Sequence, residues 1–231
     1  MSDALDSLVA DLRSIFGDRL SSVIVYQTDS HTASARKPDP VHTLALVDRV
    51  TFPDVVACAA RRAAWGRQGL ATPLVMGKNE FVRSLDAFPL EYGHIIATRR
   101  VIAGSDAFDG LSVKAEDLRR ASEVQAKSHL VHLREAYIEG AGHSASIARL
   151  IVASVPAFRA LLVSVARLRG HPSDGTAALV REAEAMGLRA PVVERILGLT
   201  HPRDLASREI AGVFQGYLEA AEQLASHIDQ W

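Results

Sequence analysis

The chain has 231 residues with 48% hydrophobic and 23% charged residues and a formal net charge of −1, an ordinary globular composition that allows one large domain or two smaller ones. The lack of a basic surplus or a block of like charge argues against nucleic acid as a partner. Cys58 is the only cysteine, so an intramolecular disulfide and a cysteine metal cluster are both excluded.

The first half of the sequence alternates helical and strand patterns. Leu5, Leu8 and Leu12 recur at helical spacing, and Gly17 ends that run. The next apolar run, 23–26, is short and rich in β-branched residues, which predicts a buried strand. The predicted elements of this half are helices at 4–16, 51–66 and 79–85, strands at 23–26, 44–47, 72–76 and 95–102, and a polar loop at 27–40.

The second half shows no strand pattern from residue 115 onward. Apolar residues recur at helical spacing, and glycine or proline separates the runs. The predicted helices are 115–138, 144–168, 175–187, 190–199 and 206–229. We therefore expect an α+β protein with an α/β domain at 1–110 and an all-α helical bundle at 111–231.

The most apolar stretch of the chain, 147–168, is predicted to be a core helix. It contains Arg149, Arg159 and Arg167, and charged side chains are costly inside a bilayer. The N-terminus is acidic where a signal peptide would be basic. We therefore expect no membrane partner, a soluble protein and, by default, a cytoplasmic one.

Three segments of the first half resemble those of polymerase-β-type nucleotidyltransferases. Segment 23–28 resembles the strand that ends in tyrosine-glycine-serine in that superfamily, and 41–47 resembles the strand that begins with an acidic-x-acidic pair. Segment 88–94 resembles the region that supplies a third carboxylate. The helical tail is similar to that of bacterial-type proteins with this head domain. The resemblance implies a nucleotidyltransferase-like mixed sheet with flanking helices, followed by a helical bundle.

The sequence departs from this superfamily where the chemistry requires particular residues. Such enzymes hold two divalent ions with carboxylates, and carboxylates at i and i+2 of a strand share one face. Gln27 stands where the glycine that lets phosphate approach the backbone belongs, while Thr28 keeps a hydroxyl. Pro40 and His42 occupy the positions of the acidic pair, and His94 lies near the third carboxylate.

A different register does not restore the acidic pair. A shift of one residue brings Asp39 to the first position but places Val41 at the second. We therefore predict a catalytically degenerate nucleotidyltransferase-like protein that binds a nucleotide or small anion as a regulatory module and self-associates through its helical tail. No catalytic residue, metal site or cofactor is assigned. The candidate nucleotide- or anion-binding residues are Gln27, Thr28, His42, His94, Arg99 and Arg100.

Two other hypotheses concern the protein as a whole. One is an unconventional nucleotidyltransferase that uses Mg²⁺ to transfer a nucleoside monophosphate to a small molecule or a protein hydroxyl. It would recruit acids such as Asp29, Asp39 or Asp48. The other hypothesis is a structural or interaction protein without a ligand.

Two local patterns suggest further chemistry. His31, His42 and His94 would suit a transition metal if the fold brought them together. Arg195 and His201, separated by five residues, have the spacing of a ribonuclease motif in which histidine acts as acid or base and arginine holds phosphate. Each pattern also has a simpler interpretation, as polar residues of a cleft and as an ordinary helix end.

Overall fold

The computed structural model describes residues 2–27, 39–171 and 174–231. The chain forms two compact units, Met1–Lys114 and Ala115–Trp231, which we call the α/β unit and the helical unit. The elements of the α/β unit are α1 (Ser2–Phe16), β1 (Leu20–Tyr26), β2 (His42–Val47), α2 (Phe52–Arg67), β3 (Leu74–Gly77), α3 (Lys78–Arg83), α4 (Pro89–Thr98) and β4 (Arg100–Gly104).

The four strands form one mixed sheet in the order β3-β2-β1-β4. The central strand β1 runs antiparallel to both β2 and β4, while β2 and β3 are parallel. Because β1 and β2 are antiparallel neighbours, the last residues of β1 and the first residues of β2 lie at the same end of the sheet. The predicted α+β class, with a mixed sheet flanked by helices, is confirmed.

Each face of the sheet carries its own hydrophobic core, because alternate strand residues point to opposite faces. Helices α1 and α2 cover one face. Its buried residues are Leu5, Leu8, Val9, Leu12, Phe16, Val23, Ala45, Val47, Trp65 and Leu70. Helices α3 and α4 cover the other face, whose buried residues are Ile24, Leu44, Leu46, Met76, Phe81, Tyr92, Ile95 and Phe108. We call these the α1/α2 face and the α3/α4 face.

The predicted strand at 95–102 is wrong. Residues 89–98 form helix α4, and the fourth strand occupies only 100–104. Pro89 begins the helix at a position where the missing N–H costs nothing. Tyr92 and Ile95 are three residues apart, so a helix buries both against Phe81 and the sheet. Tertiary packing therefore overrides the β-branched character of this segment.

The beginning of α2 is held by a carboxylate with two functions. Asp54 accepts hydrogen bonds from the backbone N–H (2.9 Å) and the hydroxyl (2.8 Å) of Thr51, which closes a capping box. Its two oxygens also accept from the Arg19 guanidinium at 2.7 and 2.8 Å. This arginine, together with Thr51, holds the pKa of the Asp54 carboxyl well below its usual range.

The helical unit contains α5 (Ala115–Glu139), α6 (Ser144–Leu168), α7 (Thr176–Ala185), α8 (Ala190–Leu197) and α9 (Ile210–Asp229). These helices match the five predicted ones, and the largest difference lies at the beginning of α9, which was predicted at 206 and lies at 210. Their apolar faces form one core in which α6 contributes residues along most of its length. The structure describes a single helix with the length and apolarity to cross a membrane, α6, and half of its most apolar window is buried.

The core of the helical unit includes polar groups with defined partners. The hydroxyl of Tyr217 donates to the Ser154 carbonyl oxygen (3.3 Å), which leaves its oxygen to accept from Nε2 of His129 at 2.9 Å. Burial lowers the pKa of His129 to about 4. Arg159 is also buried, and it donates to the Asp174 carbonyl oxygen (3.1 Å) and the Thr176 hydroxyl (2.9 Å).

Candidate functional site

The candidate site lies where β1 ends and β2 begins. We call this region the cleft edge and define it by Tyr26, Gln27, Asp39, His42 and Thr98. Tyr26 and His42 are direct cross-strand partners, with ring centroids 5.9 Å apart and planes tilted by 49°. Both side chains lie on the α3/α4 face, because they alternate with Val25 and Thr43 along their strands. The sheet thus brings His42 next to the end of β1.

His42 is half-buried beside Tyr26. Burial lowers the pKa of its imidazole, and the nearby Asp39 carboxylate only partly offsets that effect. The ring is therefore neutral at pH 7 and can donate one hydrogen bond while accepting another. It can position a ligand by hydrogen bonding, but it brings no positive charge to an anion.

Gln27 is exposed at the end of β1, and its backbone has a partner within the protein. The Gln27 N–H donates to the hydroxyl of Thr98 (3.3 Å), which itself donates to the His94 carbonyl oxygen at 2.9 Å. This connection ties the end of β1 to the end of α4. The side-chain amide of Gln27 projects from a backbone that is already fixed. Thr28, the adjacent predicted residue, lies outside the described residues.

His94 was expected just before the predicted strand at 95–102. It lies instead within α4 and is buried, with 6% of its surface exposed. A buried imidazole on this helix contributes to the packing of the α/β unit.

Arg99 is engaged within the α/β unit. Its Nε and Nη2 atoms donate to the carboxylate of Asp106 at 3.1 and 2.9 Å, and Nη1 donates to the Ile96 carbonyl oxygen at 2.6 Å. This arginine holds the pKa of Asp106 below its usual range. Because the guanidinium fork is committed to a bidentate pair, Arg99 acts as a brace between α4 and the segment after β4.

Arg100 is exposed at the beginning of β4 and makes no hydrogen bond or ion pair with the part of the chain that the structure describes. It lies opposite Val25, so it shares the α1/α2 face with that residue. His42 lies on the other face. The sheet therefore brings Gln27 and His42 together and places Arg100 across the sheet from them.

The strand that would hold the metal ions in a nucleotidyltransferase contains no acidic residue. His42, Leu44 and Leu46 lie on one face of β2, while Thr43 and Ala45 lie on the other. Within the described residues, no group of three or more His, Cys, Asp and Glu side chains is placed to hold a metal ion.

The acids proposed for the enzyme hypothesis lie in three different places. Asp39 precedes β2 at the cleft edge, whereas Asp48 follows β2 at the opposite end of the sheet, where its N–H donates to the Arg19 carbonyl oxygen. Asp29 falls outside the described residues. Six strand residues separate the two ends of β2 by about 20 Å, so Asp39 and Asp48 cannot serve one site.

The arginine–histidine pattern of the helical unit has local structural partners. Arg195 donates to the Asp204 carbonyl oxygen (2.7 Å) and the Glu209 carboxylate (2.8 Å). Nδ1 of His201 accepts from the Arg203 N–H (3.2 Å) as a cap of the turn before α9. These contacts favour the interpretation as a helix connection.

Comparison with known proteins rests on structure. No protein-family model matches the chain, and no curated protein matches it either. Among solved structures, the chain is similar to the spectinomycin adenyltransferase AAD(9) from Enterococcus faecialis, in a crystal structure with ATP and spectinomycin. The TM-score is 0.53 at 13% sequence identity, and the match covers 96% of this chain and 98% of that one. At this identity the likeness concerns the fold, which is nucleotidyltransferase-like.

Two residues of the region were not singled out from the sequence. Thr98 connects β1 to α4, and Asp106 engages Arg99. Predicting a helix over 89–98 would have pointed to both residues, because this helix places Thr98 at its end, beside the strand. A proline at 89 with apolar residues at three- and four-residue spacing carried that signal.

Proposed function

We propose that this chain is a nucleotidyltransferase-like protein that binds a nucleotide or another small anion at the cleft edge without metal-dependent nucleotidyl transfer. The supporting observation is that β2 has no carboxylate on either face, in a chain whose fold is similar to that of an adenyltransferase. Hard divalent ions need carboxylate oxygens, so β2 offers no ligand for the metal ions that nucleotidyl transfer requires. The neighbour was crystallised with ATP, which makes nucleotides the first ligands to test.

The proposed binding groups at the cleft edge are uncharged. The Gln27 amide and the neutral His42 imidazole each offer hydrogen-bond donors, and Thr28 stays a candidate as the next residue along the chain. Uncharged donors attract an anion by hydrogen bonding, and salt screens such bonds less than it screens surface ion pairs. Binding should therefore depend weakly on divalent metal and on salt concentration.

Thermal unfolding tests this proposal directly. Purified protein is heated with ATP, GTP, CTP or UTP, each with Mg²⁺, Mn²⁺ or a chelator. A ligand at about a hundred times its dissociation constant stabilises the folded state by about 2.7 kcal/mol, a shift of a few degrees for a chain of this size. We expect a shift that is the same in chelator and in Mg²⁺.

Matched variants distinguish binding at the cleft edge from binding elsewhere. His42→Ala removes the proposed donor and should reduce the nucleotide-induced shift. His132→Ala, which alters an exposed histidine of α5, serves as the control and should leave the shift unchanged. A shift that requires divalent metal, or one equally reduced by both substitutions, would count against the proposal.

An active nucleotidyltransferase is the second candidate, favoured by the similarity to an adenyltransferase. Asp39 is the described acid at the cleft edge, and it would have to bind Mg²⁺ together with groups outside the described residues. Transfer of labelled nucleoside monophosphate to a small molecule or a protein hydroxyl, abolished by Asp39→Asn, would support this candidate. The same assay without product would count against this candidate.

A third candidate is an interaction protein without a ligand, and self-association through the helical unit also stays a prediction. Unfolding curves that no nucleotide shifts would favour the interaction protein. Sedimentation velocity over a range of protein concentrations tests self-association separately, since it reports mass and not ligand occupancy.

A further inference from the structure

Helix α2 exposes an apolar stripe to solvent. Phe52, Val55 and Val56 are 79%, 51% and 52% exposed, and the stripe continues through three exposed alanines one and two turns later. These are Ala59, Ala60 and Ala63. The spacing i, i+3, i+4, i+7, i+8, i+11 places all six on one side of the helix. Such a stripe normally faces a core, whereas Asp54 and Trp65 are the buried residues of α2.

A cavity of about 270 Å³ adjoins this stripe. Val55 and Ala59 belong to both the stripe and the cavity wall, and the remaining apolar wall includes Val50, Pro73 and Val75. The cavity lies beside β3, an edge strand of the sheet. Its size and lining suit one aliphatic or aromatic side chain inserted from outside, as in the anchors of protein interfaces. The stripe and this cavity together are called the α2 groove.

The unpaired charges that α2 brings to the groove are positive. The exposed charged residues of α2 are Arg61, Arg62 and Arg67, and Arg61 is paired with Asp11 at 3.3 Å. Arg62 and Arg67 make no ion pair with the residues that the structure describes. The acid of this helix, Asp54, is already neutralised by Arg19. The rim is therefore positive, and it complements an acidic partner.

The shape of the α2 groove favours a helix over other partners. Ala59 and Ala63, one turn apart, allow another helix to approach closely. The larger side chains at the N-terminal half, with the neighbouring cavity, provide anchor points. A second copy of this chain would bring its own Arg62 and Arg67 to the same rim. A lipid surface would gain little from the alanine half, because alanine buries little apolar area.

We propose that the α2 groove docks an amphipathic helix of a partner protein whose apolar face is flanked by acidic residues. The apolar face packs along the stripe, one large side chain fills the cavity, and the acidic flanks meet Arg62 and Arg67. This mode is the helix-in-groove recognition that many proteins use. The proposal does not rest on nucleotide binding, and the beginning of α2, at Thr51 and Asp54, lies at the opposite end of β2 from the cleft edge.

Two synthetic peptides serve as probes of the α2 groove. Each has about 18 residues, or five helical turns, with one leucine-rich face, and the flanks carry glutamate in one peptide and lysine in the other. Fluorescence anisotropy measures binding to the full chain. We expect the glutamate peptide to bind at least about ten-fold more tightly than the lysine peptide. Equal binding, stronger binding of the lysine peptide, or no binding of the glutamate peptide would overturn the proposal.

Cys58 provides a second readout, because it lines the cavity and is the chain's only cysteine. Burial raises the pKa of its thiol, so its reaction with an aromatic disulfide reagent is slow and sensitive to access. The glutamate peptide should slow this reaction at least about ten-fold at saturation. A bound peptide that leaves the rate unchanged lies elsewhere and would contradict the proposal.

Surface variants locate the binding without disturbing the core. Val55→Glu and Ala59→Glu should each weaken the glutamate peptide by about ten-fold or more. Val131→Glu alters a similarly exposed valine of α5 (56%) and is the matched control that should leave binding unchanged. Replacing Arg62 and Arg67 together with glutamate should reverse the preference toward the lysine peptide. Circular dichroism confirms that each variant is folded.

Competing occupants give distinct results. Sedimentation velocity that shows a dimer abolished by Val55→Glu would assign the α2 groove to a second copy of this chain. Co-sedimentation with anionic phosphatidylserine vesicles that Val55→Glu abolishes would assign it to a lipid surface. Either result would overturn the proposal. An association state that Val55→Glu leaves unchanged, together with no binding to vesicles, supports it.

Discussion

The two units of the chain use polar side chains in different ways. The helical unit builds them into its core, where His129 bonds to Tyr217 and Arg159 bonds to carbonyl and hydroxyl oxygens. His129 and Arg159 each have hydrogen-bond partners within the unit, and losing such a partner leaves a buried polar group unpaired. These buried polar residues of the helical unit therefore contribute to the stability of its fold.

The α/β unit places its strongest polar contacts at the ends of its strands. Arg19 and Asp54 lie at one end of the sheet. Arg99, immediately before β4, lies at the other end and pairs with Asp106, which follows β4. The two faces between these ends are covered by apolar side chains. A fold held in this way tolerates different residues at the cleft edge, since the apolar core does not depend on them. A nucleotidyltransferase-like fold can therefore form with no acidic residue on β2.

The largest expected effect comes from a substitution that the α/β unit should not tolerate. Gly104 ends β4 with a φ of +77°, and a Cβ there would collide with the Ser21 carbonyl oxygen. Gly104→Ala combines left-handed strain with a backbone clash and should destabilise the protein by about 3–5 kcal/mol. Gly110→Ala is the control, since Gly110 has a φ of +72° but open space around it. Urea unfolding that gives equal costs for both would show that the clash relaxes.

The next effect tests the buried polar groups of the helical unit. Arg159→Met removes the donors to the Asp174 carbonyl oxygen and the Thr176 hydroxyl, and the loss of these two partly buried hydrogen bonds from a charged group should cost about 3 kcal/mol. Arg149→Met on the exposed side of the same helix should change stability by less than about 0.5 kcal/mol. Chemical denaturation compares them, and equal stabilities would refute a structural role for Arg159.

The His129–Tyr217 pair predicts a pH dependence. The folded-state pKa of His129, about 4, lies below the ordinary value of 6.5, so the unfolded chain binds a proton first as the pH falls. The stabilisation from neutral His129 is complete above pH 6.5 and declines between pH 6.5 and 4 by about 3 kcal/mol.

The substitution His129→Leu isolates this contribution. The free energy of unfolding of the variant should fall less steeply than that of the wild type between pH 6.5 and 4. His132→Leu, at an exposed neighbour on the same helix, is the control and should keep most of the wild-type slope, since burial is the larger cause of the lowered pKa of His129 and His132 the smaller one. Identical slopes for wild type and His129→Leu would contradict the burial argument.

The smallest expected effect lies at the cleft edge. Gln27→Ala and His42→Ala should each change the free energy of unfolding by less than about 1 kcal/mol, because both residues lie outside the two apolar cores. Urea denaturation provides the measurement. A cost near that of Arg159→Met would mean that the cleft edge supports the fold, and the contrast between the two units would fail.

Sequence reasoning predicted the fold where a local signal sufficed. The helices of the helical unit carry long apolar stripes separated by glycine and proline, so these helices and their approximate bounds could be predicted. Strand β4 was misassigned because Ile95 and Ile96 are β-branched, and their helical conformation depends on contacts with Phe81 and the sheet. Periodicity within a short apolar run cannot distinguish the two conformations.

The candidate site could be predicted only in part for a related reason. Gln27 and His42 flank a loop between neighbouring antiparallel strands, so their proximity follows from the order of elements. The pairing of Arg99 with Asp106 depends on α4 being a helix. The face on which Arg100 lies depends on a register shift in the pairing of β1 with β4. Neither feature has a signature within a single segment of sequence.

The most direct test of the central claim is equilibrium dialysis of the protein against nucleotides labelled at the α-phosphate, in Mg²⁺ and in chelator. After dialysis the nucleotides and the protein are separated by chromatography. We predict equal binding under both conditions, with the triphosphate intact and no label on the protein. Binding that requires Mg²⁺ and releases pyrophosphate would contradict the account and identify an active nucleotidyltransferase.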